Sequence, residues 1–195
     1  MLYDSRGSAA VEFAIVAPVM ALLLLGGLDI GHTLYMRATL QGALQKAARD
    51  STLESGAAQT RQEALDRKIT DQAKALANNA EVKITRRYYR TFEKAAAAAA
   101  EIWTDVNSNG RCDAGEPYQD ANQNGKWDAD GGNGGQGGAK DATLYTVTVS
   151  YPRMFPLNNF IGGSDRTEVK ASTVLRNQPY ADQGVYGDPT EEHCP

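Results

Sequence analysis

Hydropathy splits the chain into two unequal parts. From residue 13 to residue 30 nearly every side chain is apolar, and none between Ala14 and Leu28 carries a charge. About 18 residues is the lower end of what crosses a ~30 Å hydrocarbon core as a helix, so the stretch is long enough to span a membrane. Beyond it, Leu34, Ala38, Leu44 and Ala48 keep a helical spacing to about Leu53, where Ser55 and Gly56 break the pattern. The first helix is therefore expected to be longer than the membrane is thick. A second, amphipathic helix is expected over residues 60–78. There Thr60 and Glu63 have the spacing of a capping box, and Leu65, Ile69, Ala73 and Leu76 form one apolar stripe. Alternation in Tyr145, Val147, Val149 and Tyr151, and again in Val169, Ala171, Thr173 and Leu175, predicts two strands; Val82, Ile84 and Tyr88 predict a weaker one. Together these elements make an α+β fold, a small antiparallel sheet packed on helices behind a transmembrane segment.

An insertion over 91–140 separates the first strand from the second and carries its own chemistry. Residues 105–116 match the calcium-loop pattern D-x-[DN]-x-[DN]-G-x5-E in full. Oxygen donors fall at Asp105, Asn107, Asn109, the carbonyl of Arg111, Asp113 and a bidentate Glu116, with Gly110 at the sharp turn. The pattern restarts over 120–131 with Asp120, Asn122, Asn124, the carbonyl of Lys126 and Asp128, but the twelfth residue is Gly131. Asp130, one position earlier, is the expected substitute, with weaker or shared binding. The pair resembles the EF-hand-like calcium loops of secreted bacterial proteins and of dockerin-type modules, which implies calcium as the ligand. Asn-Gly turns without metal are the alternative. Upstream, the six alanines at 95–100 are either an entering helix or filler. Pro117 argues against a helix directly after the first loop, and the glycine-rich stretch 131–138 reads as a flexible linker.

At the mouth of the apolar run stands one carboxylate, Glu12. If the chain is cut between Gly7 and Ser8, Glu12 becomes the fifth residue, followed by the aromatic Phe13 and at once by the apolar helix. A secretory signal peptide has its small-residue cut site on the far side of the apolar stretch; here the candidate site precedes it, and the anchor would stay. This combination resembles the TadE-like pseudopilins of the tight-adherence (Tad/Flp) pilus system, over roughly the first fifty residues. Family members more often carry Tyr after the glutamate. The resemblance implies processing by prepilin peptidase after Gly7 and a minor-pilin role in adhesion or secretion. It also implies pilin and pseudopilin subunits and the Tad assembly machinery as partners. The chain would then be single-pass in a bacterial inner membrane, with the C-terminal domain in the periplasm or carried into the extracellular pilus. A charge inside a bilayer costs at least ~2.5 kcal/mol on insertion scales, so a retained Glu12 needs a partner or a function; the candidate is the new α-ammonium group at Ser8 of a neighbouring subunit. A plain interfacial residue is the alternative, and it leaves Gly7 and the spacing unexplained. Charges alone leave orientation open, because Arg6 is offset by Asp4 while Arg37, Lys46 and Arg49 follow the helix.

The expected divisions are a leader at 1–7, a transmembrane and extended helix at 8–54, an extracytoplasmic domain at 55–177 and a tail at 178–195. Composition agrees with this. A net charge of −4 gives no basic face for nucleic acid, and a mean hydropathy of −0.47 despite the anchor makes the remainder distinctly polar. Cys112 and Cys194 are the two cysteines, which in a secreted context permits one disulfide. Neither His32 nor His193 sits in a nucleophile–base pattern, and no P-loop or zinc-ligand cluster occurs, so an enzyme is not expected. Two function classes remain: a pilus subunit, and a membrane-anchored calcium-binding or adhesive module.

Overall fold

The computed structural model describes residues 6–51, 59–155, 158, 162–178 and 187–195. Helix α1 (Arg6–Ser51) runs without a break through Pro18. Helix α2 (Gln59–Leu76) follows, then strand β1 (Glu81–Tyr89) and the short helix α3 (Phe92–Ala97). Strands β2 (Pro117–Asp120) and β3 (Asn133–Gly134) lie in the insertion, ahead of the long hairpin of β4 (Ala142–Pro152) and β5 (Arg166–Arg176). A last strand, β6 (Thr190–His193), closes the order. One antiparallel sheet has the order β3-β1-β4-β5, and β2 pairs with β6 in a second.

Helix α1 changes character along its length. Its first half is apolar on every side and exposed: Val11, Phe13, Ile15, Leu23, Leu24 and Leu28 are all more than half accessible, and the helix is long and apolar enough to cross a membrane. Its second half is amphipathic. Met36, Leu40, Leu44, Ala47 and Ala48 bury one stripe against Leu65, Ile69 and Ala73 of α2 and against Tyr145, Val147, Val149 and Tyr151 of β4. That stripe starts from Met36 and Leu40; the expected Leu34 and Ala38 point outward. Every second residue of β4 from Tyr145 to Tyr151 is essentially inaccessible, as strand periodicity requires.

Among the described residues, the opposite face of the sheet is covered at one end. There α3, with Thr91 as N-cap, buries Ala95 against Tyr89 and Ala142. Although alanine favours helix, α3 stops at Ala97, because Ala98 adopts a left-handed conformation (φ 42°) and its N–H bonds the carbonyl of Lys94. The alanines are thus no entering helix for the first loop. Residues after Ala98 run extended, with Trp103 bridged to Tyr118.

Tyr89 is 5% accessible, and two further expectations are corrected. The glycine stretch is no free linker, since Asn133 and Gly134 pair with β1 and Gly132 lies under the Tyr89 ring, where a Cβ would come within 2.5 Å of it. Nor is 178–195 wholly a tail, because β6 is hydrogen-bonded to β2; residues 179–186 of that range fall outside the described residues, as do residues 1–5 of the leader. Thr60 lies inside α2, which begins one residue earlier at Gln59, so it does not stand as the N-cap of the expected capping box.

Helix α2 and the sheet are joined by a charged network. Asp66 accepts two hydrogen bonds from the Arg86 guanidinium and one from the Tyr145 hydroxyl at 2.6 Å. Arg86 also stacks over the Tyr145 ring, 4.4 Å from its centre. Burial and the bond to Asp66 push the Tyr145 hydroxyl's pKa well above its ordinary value. Removing one partner leaves a nearly buried cation uncompensated. Asp66→Ala is expected to cost about 2–4 kcal/mol, and Tyr145→Phe about 1 kcal/mol, measured by denaturant unfolding of the full chain in detergent.

Candidate functional site

The residues singled out by the sequence fall into two places far apart along the fold. Gly7 and Ser8 lie in the first turn of α1, and Glu12 and Phe13 follow on its exposed surface. The calcium-type loops lie instead at the end of the sheet where β1 finishes and β4 begins, beside α3.

Within the first loop, short side chains fold the backbone around themselves. Asp105 accepts hydrogen bonds from the backbone N–H of Asn109 (3.1 Å) and of Gly110 (2.7 Å). Asn107 accepts from Asn109 N–H, and Asn109 from Arg111 N–H. Both amide groups donate to Asp113, which holds the Asp113 carboxyl below the usual carboxylate range, Asn107 contributing most. Glu116, 4% accessible, closes the loop by accepting from Val106 N–H at 2.9 Å and Asp113 N–H at 3.0 Å. Gly110 takes φ +75°, a value side chains rarely adopt.

The second loop repeats this bond for bond. Asp120 accepts from the N–H of Asn124 and of Gly125, Asn122 from Asn124, and Asn124 from Lys126. The Asn122 and Asn124 amides donate to Asp128. The carboxylate that closes it is not from the loop. Glu101, also 4% accessible, accepts from Ala121 N–H at 2.8 Å and Asp128 N–H at 2.9 Å. Those are the second and ninth loop positions, the same two that Glu116 holds in the first loop. Glu101 therefore stands where the twelfth residue stands in loop one. Burial raises the pKa of its carboxyl, with Asp120 and Asp128 adding to the effect against the two backbone bonds.

Asp130, the substitute expected from the sequence, is engaged elsewhere. Arg87 on β1 takes Asp130 through its Nε (3.0 Å) and Nη2 (2.6 Å) and reaches Asp128 at 3.0 Å. The pairing raises the Arg87 pKa, the hydrogen bond to Asp130 leading. Burial near the same two carboxylates pushes the Tyr89 hydroxyl up to about 12. Sequence reading missed Glu101, Arg87 and the tryptophan contact that braces the Glu101 segment: Trp127 donates to the Glu101 carbonyl and packs edge-on against Trp103 at 5.1 Å.

The connector between the loops is β2, and β6 clamps it. Pro117 pairs with His193 and Asp120 with Thr190; Cys194 exchanges backbone bonds with Glu116 and Gly115. Cys112 and Cys194 are joined by a disulfide, with Cα atoms 5.6 Å apart.

The donor set suits a hard cation, because the candidate ligand positions of each loop offer only carboxylate, amide and carbonyl oxygens, Cys112 being held in its disulfide. The carboxylates are turned to backbone and amide N–H groups, however, and among the described residues no three His, Cys, Asp or Glu side chains converge on one point.

Among known proteins, residues 7–49 match the family described as TadE-like protein. The match covers α1 from Gly7 almost to its end and none of the loop region; it supports a Tad pilus-associated protein with a membrane-capable N-terminal helix. No curated protein and no solved structure matches the chain.

The disulfide closes a loop of 82 residues, worth about 2–4 kcal/mol in typical proteins. Replacing Cys112 and Cys194 by Ser together is expected to lower stability by about that amount. Amide exchange at Tyr118 and Glu192, paired across β2 and β6, should speed up well before that of β4, as followed by hydrogen–deuterium exchange.

Proposed function

We propose that the chain is a minor pseudopilin of a Tad/Flp pilus. The observation that carries this is the order Gly7, Ser8, Glu12, Phe13 at the start of an apolar helix, inside the segment that matches the TadE-like family. Prepilin peptidase would cut after Gly7. The helix stays in the inner membrane until assembly, with the folded domain on the periplasmic side. Glu12 then neutralises the α-ammonium group of Ser8 on a neighbouring subunit, which offsets the cost of a carboxylate in an apolar surrounding.

The two loops add a calcium-dependent element at the end of the domain away from the anchor. Asp105, Asn107, Asn109, the Arg111 carbonyl, Asp113 and Glu116 would hold one ion. Asp120, Asn122, Asn124, the Lys126 carbonyl, Asp128 and Glu101 would hold a second. A bound divalent ion supplies the positive charge that this part of the chain lacks. Six carboxylates between residues 105 and 130 face only Arg111 and Lys126 within the segment, with Arg87 the cation contributed from the sheet. The loops' distance from the anchor also supports the second reading, a membrane-tethered calcium-binding or adhesive module.

The two readings part at the N-terminus. A mature chain beginning at Ser8 is expected, and Gly7→Leu should leave the leader attached; normal trimming of that variant removes the basis of the pilin assignment. Glu12→Ala should insert into the membrane at least as well as the parent while forming few pili, scored by electron microscopy.

Calcium is tested separately. A ligand bound only by the folded state stabilises it by about 2.7 kcal/mol at a hundredfold excess over Kd. Extracellular sites work at Kd of ~10⁻⁴–10⁻³ M. The full chain should therefore melt higher in millimolar calcium than in chelator, and titration calorimetry should count two ions. Glu116→Ala and Glu101→Ala should each reduce that count to one, while Asp130→Ala leaves it at two. No calcium shift in the parent means that the loops are Asn-Gly turns only.

A further inference from the structure

Strand β5 is the outer strand of the main sheet, and among the described residues no strand pairs with its far side. The ladder shows which of its backbone groups look outward. At the two ends of β5 the Arg153 N–H bonds the Asp165 carbonyl and the Asn177 N–H bonds the Asp141 carbonyl, each at 2.9 Å, and the register between them is unbroken. Residues bonded to one neighbour alternate along an antiparallel strand, so the odd-numbered residues face β4. Glu168, Lys170, Ser172, Val174 and Arg176 therefore turn their N–H and C=O groups away. The Ser172 carbonyl is met there at 3.4 Å by the Gln41 amide of α1. Among the described residues, the outward groups of Glu168, Lys170 and Val174 have no partner. An edge of this kind is a template for another chain unless it is short, bulged, covered or interrupted by proline. Strand β5 has 11 residues, no bulge and no proline.

Helix α1 runs beside this edge and in the same direction. Thr33 is level with Tyr151, whose partner on β5 is Thr167, and Gln41 is level with Ser172. Leu34 stands two helical turns before Gln41 and so on the same flank of the helix, with Ala38 between them. Both are exposed, Leu34 at 60% accessible, and neither belongs to the buried stripe. Edge and flank together make a shelf, with backbone donors and acceptors along one side and apolar side chains along the other. The outer face of β5 adds charge. Lys170 lies in one row with Lys83, across Thr148. Among the described residues neither lysine has an ion-pair partner. Glu168 is the one carboxylate on the strand, against Arg166, Lys170 and Arg176, and Arg166 already pairs with Glu81.

We propose that the free edge of β5 receives an extended segment of another protein as an added strand, apolar toward Leu34 and Ala38 and acidic toward Lys170 and Lys83. Backbone bonds supply the affinity and the alternating side chains the specificity, as in strand addition generally. Opposite charges facing each other across neighbouring strands favour pairing, which selects an acidic segment for this cationic row. A second copy of β5 is not that strand. Two identical edges paired about a two-fold axis run antiparallel, and because α1 runs with β5 the two anchors would then enter the bilayer from opposite sides. That exclusion rests on the reading that α1 spans a membrane.

The probe is a short end-blocked peptide of alternating glutamate and valine, added to the full chain in detergent micelles. Affinity is read by titration calorimetry, and exchange of individual amides by NMR. The outward amides of Glu168, Lys170 and Val174 should exchange several-fold more slowly with peptide bound, while that of Ala171, which faces β4, stays unchanged. Methylating the glutamate nitrogens of the peptide, whose N–H groups face β5, keeps its charge and should abolish the effect. Lys170→Glu and Leu34→Ser, each confirmed to melt as the parent does, should each weaken binding several-fold. Equal binding by the methylated peptide, or binding without slowing at Lys170 and Val174, means contact through charge alone and overturns the proposal. No binding at millimolar peptide overturns it as well, Glu168 and Lys170 then serving only to guard the edge. If the same amides slow when the chain alone is concentrated, a second copy fills the edge, and the proposal fails together with the argument from the anchor.

Discussion

One helix face organises this protein. The stripe of Met36, Leu40, Leu44, Ala47 and Ala48 on α1 meets α2 on one side and the inner face of β4 and β5 on the other, so the main core is built on a helix whose first half is apolar and exposed. Full burial of each large side chain is worth about 1.5–3 kcal/mol. A loss of register along α1 would therefore expose the stripe and misplace the domain together. The change of character occurs within about one turn, between Asp29 and Thr33, where Arg153 and Tyr151 reach the helix. His32 packs edge-on against Tyr151 in the same turn. The domain's position along the helix is set by these polar contacts while affinity comes from the apolar stripe.

The elements that could be read from the sequence are those whose partners are implied by their own periodicity. Tyr145 to Tyr151 alternate because one face is buried whatever covers it, and Leu65, Ile69 and Ala73 repeat because a helix has one inward side. Strands β2, β3 and β6 carry no such signal. Thr190–His193 is polar and exposed at every position, and it is a strand because β2 lies next to it and a disulfide holds the end. Asn133 and Gly134 pair because the neighbouring glycines let two tyrosine rings sit on the backbone, Tyr89 against Gly132 and Tyr88 against Gly137. Composition alone reads the same residues as a linker. The stop of α3 at Ala97 is likewise imposed by tertiary contacts on residues that favour continuing.

The loops divide along the same line. Asp105, Asn107 and Asn109, like Asp120, Asn122 and Asn124, bond N–H groups two to five residues ahead, so their spacing is visible in the chain. The closing carboxylate of the second loop is supplied over a distance: Glu101 reaches Ala121 and Asp128 from before the first loop begins. Neither residue type nor spacing distinguishes it from an ordinary acidic residue after a run of alanines. Asp130 was the local choice, and it is unavailable because Arg87, on a strand far back in the sequence, takes both its oxygens. Extended backbone around Trp103, in place of a helix, is what brings Glu101 within reach.

Strand β2 joins the two loops directly, and the disulfide ties the first of them to residue 194. Cys112 sits inside the first loop, and its partner follows 82 residues later. A chain synthesised from its N-terminal end delivers these parts in order. The sheet strands β1, β4 and β5 emerge before Cys194, so the main core can form while the first cysteine is still a thiol open to any oxidant or passing partner. Only after those 82 residues have followed can the first loop be sealed, which makes sealing a late step in the maturation of the molecule rather than a step in building its core.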